Sequence, residues 1–262
     1  MTMAYRMTRT LPHDRAAIII PVDHGLIFDR LPGLENPAKV VEEFGGDDIT
    51  GFMMSPGLVV RTEQYFARHP HLSRVMAIDA FYHYTGADTG SGALHHSVED
   101  AVRLGVDCVK MLMPWNTTKA EQAALITRVG AVISACERWQ IPLMLEPVML
   151  GAPRTAEVAA AEEQAARIAF DLGAHIIKIA FPGEDGTRRL VEELGLPVVI
   201  AGGPRTGEGP DTIDAVRQTI VAGARGIIVG RNVWQRDLSQ AHAIVDALAV
   251  LSHSANPALQ TV

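Results

Sequence analysis

Leu172-Gly173-Ala174-His175-Ile176-Ile177-Lys178-Ile179-Ala180 compresses a helix end, a turn and a strand into one short stretch. An apolar helical pattern arrives at Leu172. Gly173 stops it in the left-handed conformation, which glycine adopts at no steric cost, and an apolar run starts almost at once. The same junction recurs at Leu104-Gly105-Val106 and at Ala222-Gly223-Ala224. One repeated junction implies one repeated unit, a strand joined to a helix. Worked outward along the chain, the unit places strands at 17–23, 51–55, 75–79, 108–113, 142–148, 176–180, 197–201 and 226–229. These runs are continuously apolar rather than alternating, as expected of parallel strands buried on both faces. Amphipathic helical segments lie between them at 37–44, 56–67, 97–104, 118–139, 155–172, 187–194, 209–222 and 238–251. Asn36-Pro37 sets a capping residue before a proline at the first helical position.

Alternating strands and helices build either an open doubly wound sheet or a closed barrel. A dinucleotide-binding open sheet would carry a GxGxxG turn after an early strand. The first strand runs instead into Asp23-His24-Gly25-Leu26. The chain has 262 residues, close to the ~250 typical of eight strand–helix units closed into a barrel. No Pro/Ser-rich linker divides it. The expected fold is α/β, a single (β/α)8 TIM barrel over residues 1–262, with 1–15 as an N-terminal extension.

Composition narrows the function. Hydrophobic residues make up 48 % and the net charge is -7. Disordered chains are poorer in apolar residues, and general nucleic-acid binders carry a basic excess. No apolar run approaches the ~20 residues of a membrane helix, and residues 1–14 lack the apolar core of a secretory signal. Two cysteines, Cys108 and Cys136, form no CxxC pair, which suits a reducing compartment. A cytoplasmic protein with no nucleic-acid or membrane partner is expected.

In a (β/α)8 barrel, chemistry sits at the C-terminal ends of the strands. Lys178 stands in an otherwise apolar strand. Burial and a nearby cation would lower its pKa and yield the neutral amine that attacks a carbonyl. A structural lysine in a buried ion pair is the alternative. Lys110, in Cys108-Val109-Lys110-Met111, is a second lysine of this kind. Two lysines in one barrel interior are expected to depress each other's pKa, with one as nucleophile and the other an electrostatic partner. A structural Lys110–Glu146 pair across neighbouring strands is the simpler reading of the latter. Glu146 and Asp23 are strand-embedded carboxylates fit for general acid/base work or for anchoring a lysine. His24 reads as a supporting hydrogen bonder near the substrate. Ser55 and Asp79 also stand at strand ends and receive no role. Gly202 and Gly203 after the seventh strand, with Gly230 and Arg231 after the eighth, read as a phosphate cup of backbone N–H groups and one guanidinium. No metal constellation stands out, since the histidines are scattered and a strand would send His95 and His96 to opposite faces. No cofactor is expected. The methionines read as core filling, and 81–97 as a loop near the pocket.

Pro21-Val22-Asp23-His24-Gly25, Ser55-Pro56-Gly57, Ile176-Ile177-Lys178, Ala201-Gly202-Gly203-Pro204 and Gly230-Arg231-Asn232-Val233-Trp234-Gln235 together resemble the DeoC/LacD/FbaB class I aldolase family, over about residues 17–238. The resemblance implies a metal-independent (β/α)8 aldolase that forms a Schiff base with phosphorylated sugars and assembles as a homo-oligomer. It assigns the Schiff base to Lys178, the strand-1 acid to Asp23, and phosphate binding to Gly202, Gly203, Gly230 and Arg231. Branches of the family with a catalytic Tyr on strand 4, the archaeal-type fructose-bisphosphate aldolases and aminodideoxyheptulosonate synthases, differ from Val109-Lys110-Met111-Leu112-Met113. Lys110 and Leu145-Glu146-Pro147 resemble the tagatose-bisphosphate and sulfofructose-phosphate aldolase branch. The expected activity is therefore C–C bond formation or cleavage in a phosphorylated ketose or hydroxyketone. A thiolase-type acyl transfer on a phosphorylated diketone, and a non-catalytic phosphate-ligand-binding barrel, are the alternatives.

Overall fold

A computed structural model describes residues 1–28, 30–81, 92–203, 205 and 209–254. Eight parallel strands close into a barrel: β1 (Ala17–Pro21), β2 (Gly51–Met54), β3 (Ser73–Ala77), β4 (Cys108–Pro114), β5 (Leu143–Val148), β6 (Ile176–Ala180), β7 (Val198–Ala201) and β8 (Gly226–Ile228). β8 pairs with β1 through Ala17↔Gly226 to Ile19↔Ile228, which closes the ring. The helices are α1 (Met3–Thr10), α2 (Pro37–Phe44), α3 (Pro56–Arg61), α4 (Glu63–Arg68), α5 (Val98–Arg103), α6 (Lys119–Trp139), α7 (Ala156–Leu172), α8 (Glu184–Leu194), α9 (Gly209–Val221), α10 (Arg231–Trp234) and α11 (Leu238–His253). The expected barrel is present. Gly173 does stop its helix left-handed, at φ 99°.

The two-residue period of a strand sorts the core into layers. Ala17, Ile19, Met53, Val75, Cys108, Met144, Ile176, Val199 and Ile228 fill the barrel interior together with Leu11. Their sequence neighbours Ile18, Phe52, Met76, Val109, Leu145, Ile177 and Ile227 face outward into the core beneath the helices. Continuing along the inward face, the next residues toward the C-terminal ends are Lys110, Glu146 and Lys178, and four residues on from Ile19 and Val75 stand Asp23 and Asp79. The alternation that packs the interior also stacks a charged layer on an apolar one. Above it, Leu112 and Phe81 join Leu150 in a small apolar cluster with Ile27 and Val148.

The N-terminal end of the barrel is closed by α1. Thr2 caps this helix by accepting from Tyr5 N. Arg6 donates to Val106 O. Arg9 reaches Asp107 Oδ1 and Pro70 O at 2.7 Å each and Leu72 O at 3.0 Å. Arg225 donates to Leu11 O at 3.3 Å and Pro12 O at 2.9 Å. Arginine donors thus meet carbonyls at the starts of several strands.

Three local departures have identifiable causes. The helix expected over 56–67 is two helices, because Thr62 leaves helical geometry (φ -104°, ψ 9°) while its hydroxyl donates to Leu58 O at 2.7 Å. The helix expected from 187 begins at Glu184, after Gly183 as the capping residue. The third barrel strand ends at Ala77 rather than Asp79, and Asp79–Ala80 turns aside into an antiparallel ladder with Ala93–Leu94. His95 and His96 follow that ladder, so no strand separates them, and their Nδ1 atoms lie 2.9 Å apart. Residues 82–91 of the expected pocket loop lie outside the described residues. Among the described residues no helix is long and apolar enough to cross a membrane.

Candidate active site

The charged layer centres on Glu146. Its Oε2 lies 2.9 Å from Lys110 Nζ and 2.9 Å from Lys178 Nζ. Lys110 Nζ lies 3.8 Å from Asp23 Oδ2, and Asp23 Oδ1 lies 3.8 Å from His24 Nδ1. Lys178 Nζ also sits 3.9 Å from Met53 Sδ, at the top of the apolar layer beneath it. Neighbouring β4, β5 and β6 thus deliver Lys110, Glu146 and Lys178 side by side, and β1 closes the group with Asp23. Lys110 and Lys178 are only 1 % and 7 % exposed, so the ion pairs act with little screening by water.

The two lysines respond in opposite directions. Burial is the largest influence on Lys178 and drives its pKa below the ordinary lysine value, with Glu146 opposing and Lys110 reinforcing. Burial acts on Lys110 too, but Glu146, Asp23 and Asp79 together outweigh it and hold that ammonium above its ordinary value. Mutual depression of both lysines, expected from their shared interior, is therefore corrected: the carboxylates cluster on Lys110 and only Lys178 is lowered. Burial alone would raise Glu146, yet Lys110 and Lys178 overcome it and hold the carboxyl at about 2. The layer thus contains a fixed cation, a fixed anion and an amine that holds its proton less tightly than an ordinary lysine.

Asp79 is the residue that sequence reading left without a role. Its side chain is 1 % exposed. Burial raises its pKa to about 7, against the pull of Lys110. Oδ2 accepts from Leu112 N at 2.8 Å. Inward parity with Val75 was the signal that could have placed it in the layer.

At the mouth, the Gly-Arg-Asn-Val-Trp-Gln segment ties three strands together. Asn232 Nδ2 donates to Gly202 O at 2.9 Å, Trp234 Nε1 to Pro21 O at 3.1 Å, and Gln235 Nε2 to Pro32 O at 3.3 Å. Gly230 has no space for a side chain, since a Cβ there would meet Pro21 Cγ at 2.8 Å and Trp234 Nε1 at 3.0 Å. The Gly202 N–H, expected to face a phosphate, is taken by Ile228 O at 2.8 Å. It extends the β7–β8 ladder, so Gly202 contributes shape rather than a donor. Gly203 follows at φ +67°, with open space around its Cβ position. The half-buried Arg231 guanidinium stacks 5.7 Å from the Phe28 ring centroid. His24 is packed rather than hydrogen-bonded, 5.3 Å edge-on from Trp234 and 6.0 Å from Phe28. Burial lowers its pKa to about 4, so the ring is neutral at pH 7. Asp23 and His24 also line a cleft of about 420 Å³ with Phe28, Leu31, Leu34 and Ser55. Among the described residues no three His, Cys, Asp or Glu side chains converge as a metal site would require.

Known proteins share this architecture. The family model described as DeoC/LacD family aldolase matches residues 17–236. The chain is 31 % identical over 237 residues to 2-amino-3,7-dideoxy-D-threo-hept-6-ulosonate synthase 1 of Archaeoglobus fulgidus, covering 88 % of this chain and 84 % of that one. It is 25 % identical over 240 residues to an uncharacterized aldolase of Saccharolobus solfataricus, covering 88 % of each. Among solved structures, a Schiff base forming fructose-1,6-bisphosphate aldolase superposes with a TM-score of 0.78 at 25 % identity, covering 96 % of this chain and 100 % of that one.

Proposed function

The chain belongs to the DeoC/LacD aldolase family, and from that premise we propose that Lys178 is the amine that forms the Schiff base with a phosphorylated ketose or hydroxyketone. The observation that carries this reading is the single Glu146 oxygen shared at 2.9 Å by two lysines, only one of which has a lowered pKa. Unprotonated Lys178 Nζ adds to the ketone carbon. The carbinolamine takes a proton, loses water and becomes an iminium, which draws electrons from the adjacent carbon–carbon bond. A base removes the proton of the β-hydroxyl, the bond breaks and the aldehyde departs. The enamine is then protonated and hydrolysed.

Glu146, in preference to Asp23, moves these protons. While Lys178 is an ammonium, two cations suppress the proton affinity of Glu146. At the carbinolamine the Lys178 nitrogen is uncharged and one of them is gone, so that affinity rises when a proton has to move. Lys110 keeps its charge and holds a substrate oxygen. Gly203, Gly230 and Arg231 receive the phosphate, with Gly202 and His24 shaping its surroundings. Lys110 beside Glu146 supports the tagatose-bisphosphate and sulfofructose-phosphate type of site over one built on a strand-4 tyrosine. We also read residues 1–262 as one domain in a cytoplasmic homo-oligomer. The cytoplasm is supported by Cys108 and Cys136, both buried and free.

The test is borohydride trapping with dihydroxyacetone phosphate and with fructose and tagatose 1,6-bisphosphates, read by peptide mass spectrometry. The expected result is one adduct, on the peptide that contains Lys178, absent from Lys178→Met. Methionine suits that position beside Met53, and a thermal melt checks that the variant folds. An adduct on another lysine, or one that persists in Lys178→Met, overturns the reading.

A further inference from the structure

Asp79 leaves a buried polar atom unexplained. Its Oδ2 does a structural task. Where β3 ends at Ala77 and the chain turns aside, the carboxylate stands in for the missing strand carbonyl and accepts the Leu112 N–H. Asparagine or serine would do the same without burying an acid. Its Oδ1 is buried, and among the described residues no donor reaches it. A buried oxygen without a donor destabilises the fold, and such atoms are rare in native proteins. An ordered water or a ligand that supplies a donor accounts for such an atom.

The bond from Leu112 N holds this carboxylate against β4, two residues beyond Lys110. Asp79 shares the inward parity of Val75, and it feels Lys110, Glu146 and Asp23 electrostatically. It belongs to the same layer as Lys178, on the β3–β4 side, away from the β7–β8 mouth. Asp23 Oδ2 in that layer also has no hydrogen-bond donor among the described residues, although Lys110 lies 3.8 Å away. The free oxygen is an acceptor, and a sugar hydroxyl is a donor.

We propose that Asp79 is a specificity-determining residue whose free carboxyl oxygen accepts a hydrogen bond from a substrate hydroxyl next to the Schiff-base carbon. The site thereby selects hydroxylated donors over their deoxy counterparts. This rests on Lys178 forming the Schiff base, as proposed above. A site built to bond a hydroxyl rejects the analogue that lacks it, because its own buried group is then left unpaired. A carboxyl raised to about 7 by burial is also able to serve as acceptor or donor near neutral pH.

The experiment compares two donors differing by one hydroxyl, dihydroxyacetone phosphate and hydroxyacetone phosphate. Borohydride trapping on Lys178 is titrated with each, and the ratio of half-saturating concentrations is the readout. The unaltered enzyme should favour the hydroxylated donor by at least about tenfold. Asp79→Ser keeps one oxygen for the Leu112 N–H, puts no polar atom where Oδ1 stands, and should bring that ratio close to one. A purely structural role would weaken both donors alike and leave the ratio unchanged, which overturns the proposal. Equal half-saturation by the unaltered enzyme overturns it as well, and that measurement needs no variant to fold. Failure of both donors to label Lys178 in the unaltered enzyme overturns the Schiff-base reading, and this inference with it. Labelling without discrimination overturns this inference alone.

Discussion

Replacing Glu146 with glutamine removes one charge and almost no volume, which makes it the sharpest probe of the charged layer. The carboxyl is held at about 2 in the barrel against an ordinary 4.5, a difference worth about 3 kcal/mol of folding free energy. Independently, removing one partner of a buried ion pair costs roughly 3–5 kcal/mol, because the other charge stays buried and uncompensated. Here two ammonium groups lose their shared partner, and Lys110 retains Asp23 at 3.8 Å. At about 2–4 °C per kcal/mol for a chain of this size, the melting midpoint of Glu146→Gln should fall by roughly 6–12 °C at pH 7. A depressed carboxyl pKa stabilises the fold above the unfolded value. That contribution disappears as pH falls from about 4.5 toward 2, so the gap between variant and parent should close over that range. Thermal melts followed by circular dichroism at pH 7 and pH 3 measure both quantities. Combining the change with Lys110→Met should give a non-additive loss, since the two side chains touch. If Glu146 also moves protons, kcat should fall by about 10²–10⁴. A midpoint within about 2 °C of the parent at pH 7, or a gap of equal size at pH 3, would refute the electrostatic reasoning.

Two further outcomes follow from the mouth of the barrel. His24 is expected to stay neutral through the physiological range, because burial lowers its pKa to about 4. Its ring resonances should be flat between pH 5.5 and 8 by NMR, and an inflection near 6.5 contradicts the packing described. Since the unfolded chain takes up this proton first, stability is full above 6.5 and declines by about 3 kcal/mol as pH falls toward 4. Gly230→Ala places a methyl 2.8 Å from Pro21 Cγ and 3.0 Å from Trp234 Nε1. Overpacking of this kind costs about 1–3 kcal/mol. Urea unfolding followed by tryptophan fluorescence should show that loss, and an unchanged midpoint means that α10 relaxes freely.

What was legible in the sequence was whatever a period or a fixed junction encodes. All eight strands were visible because parallel strands are apolar on both faces, and Gly173 marked its helix end because few residues other than glycine adopt its φ. Lys178, Lys110 and Glu146 stood out as charges inside apolar runs. Asp79 did not, because it sits just past a strand end, where an acid is unremarkable until its packing is known. The spent Gly202 N–H was equally hidden, since a one-residue extension of a ladder leaves no mark in composition. The N-terminal helix escaped notice for a related reason. Its buried face includes Arg6 and Thr10 rather than an apolar stripe, so hydrophobic periodicity had nothing to detect.

That polar floor gives the two ends of the barrel different tolerances. At the mouth, Glu146, Asp79 and His24 all change protonation between about pH 2 and 7. At the floor, Arg6 and Arg225 donate to backbone carbonyls, and neither guanidinium nor carbonyl titrates in that range. Those arginine–carbonyl bonds have no titrating partner, whereas Arg9 at the same end also pairs with the Asp107 carboxylate. Acid therefore strips the charged layer of its ion pairs, while the arginine–carbonyl bonds of Arg6 and Arg225 at the opposite end persist.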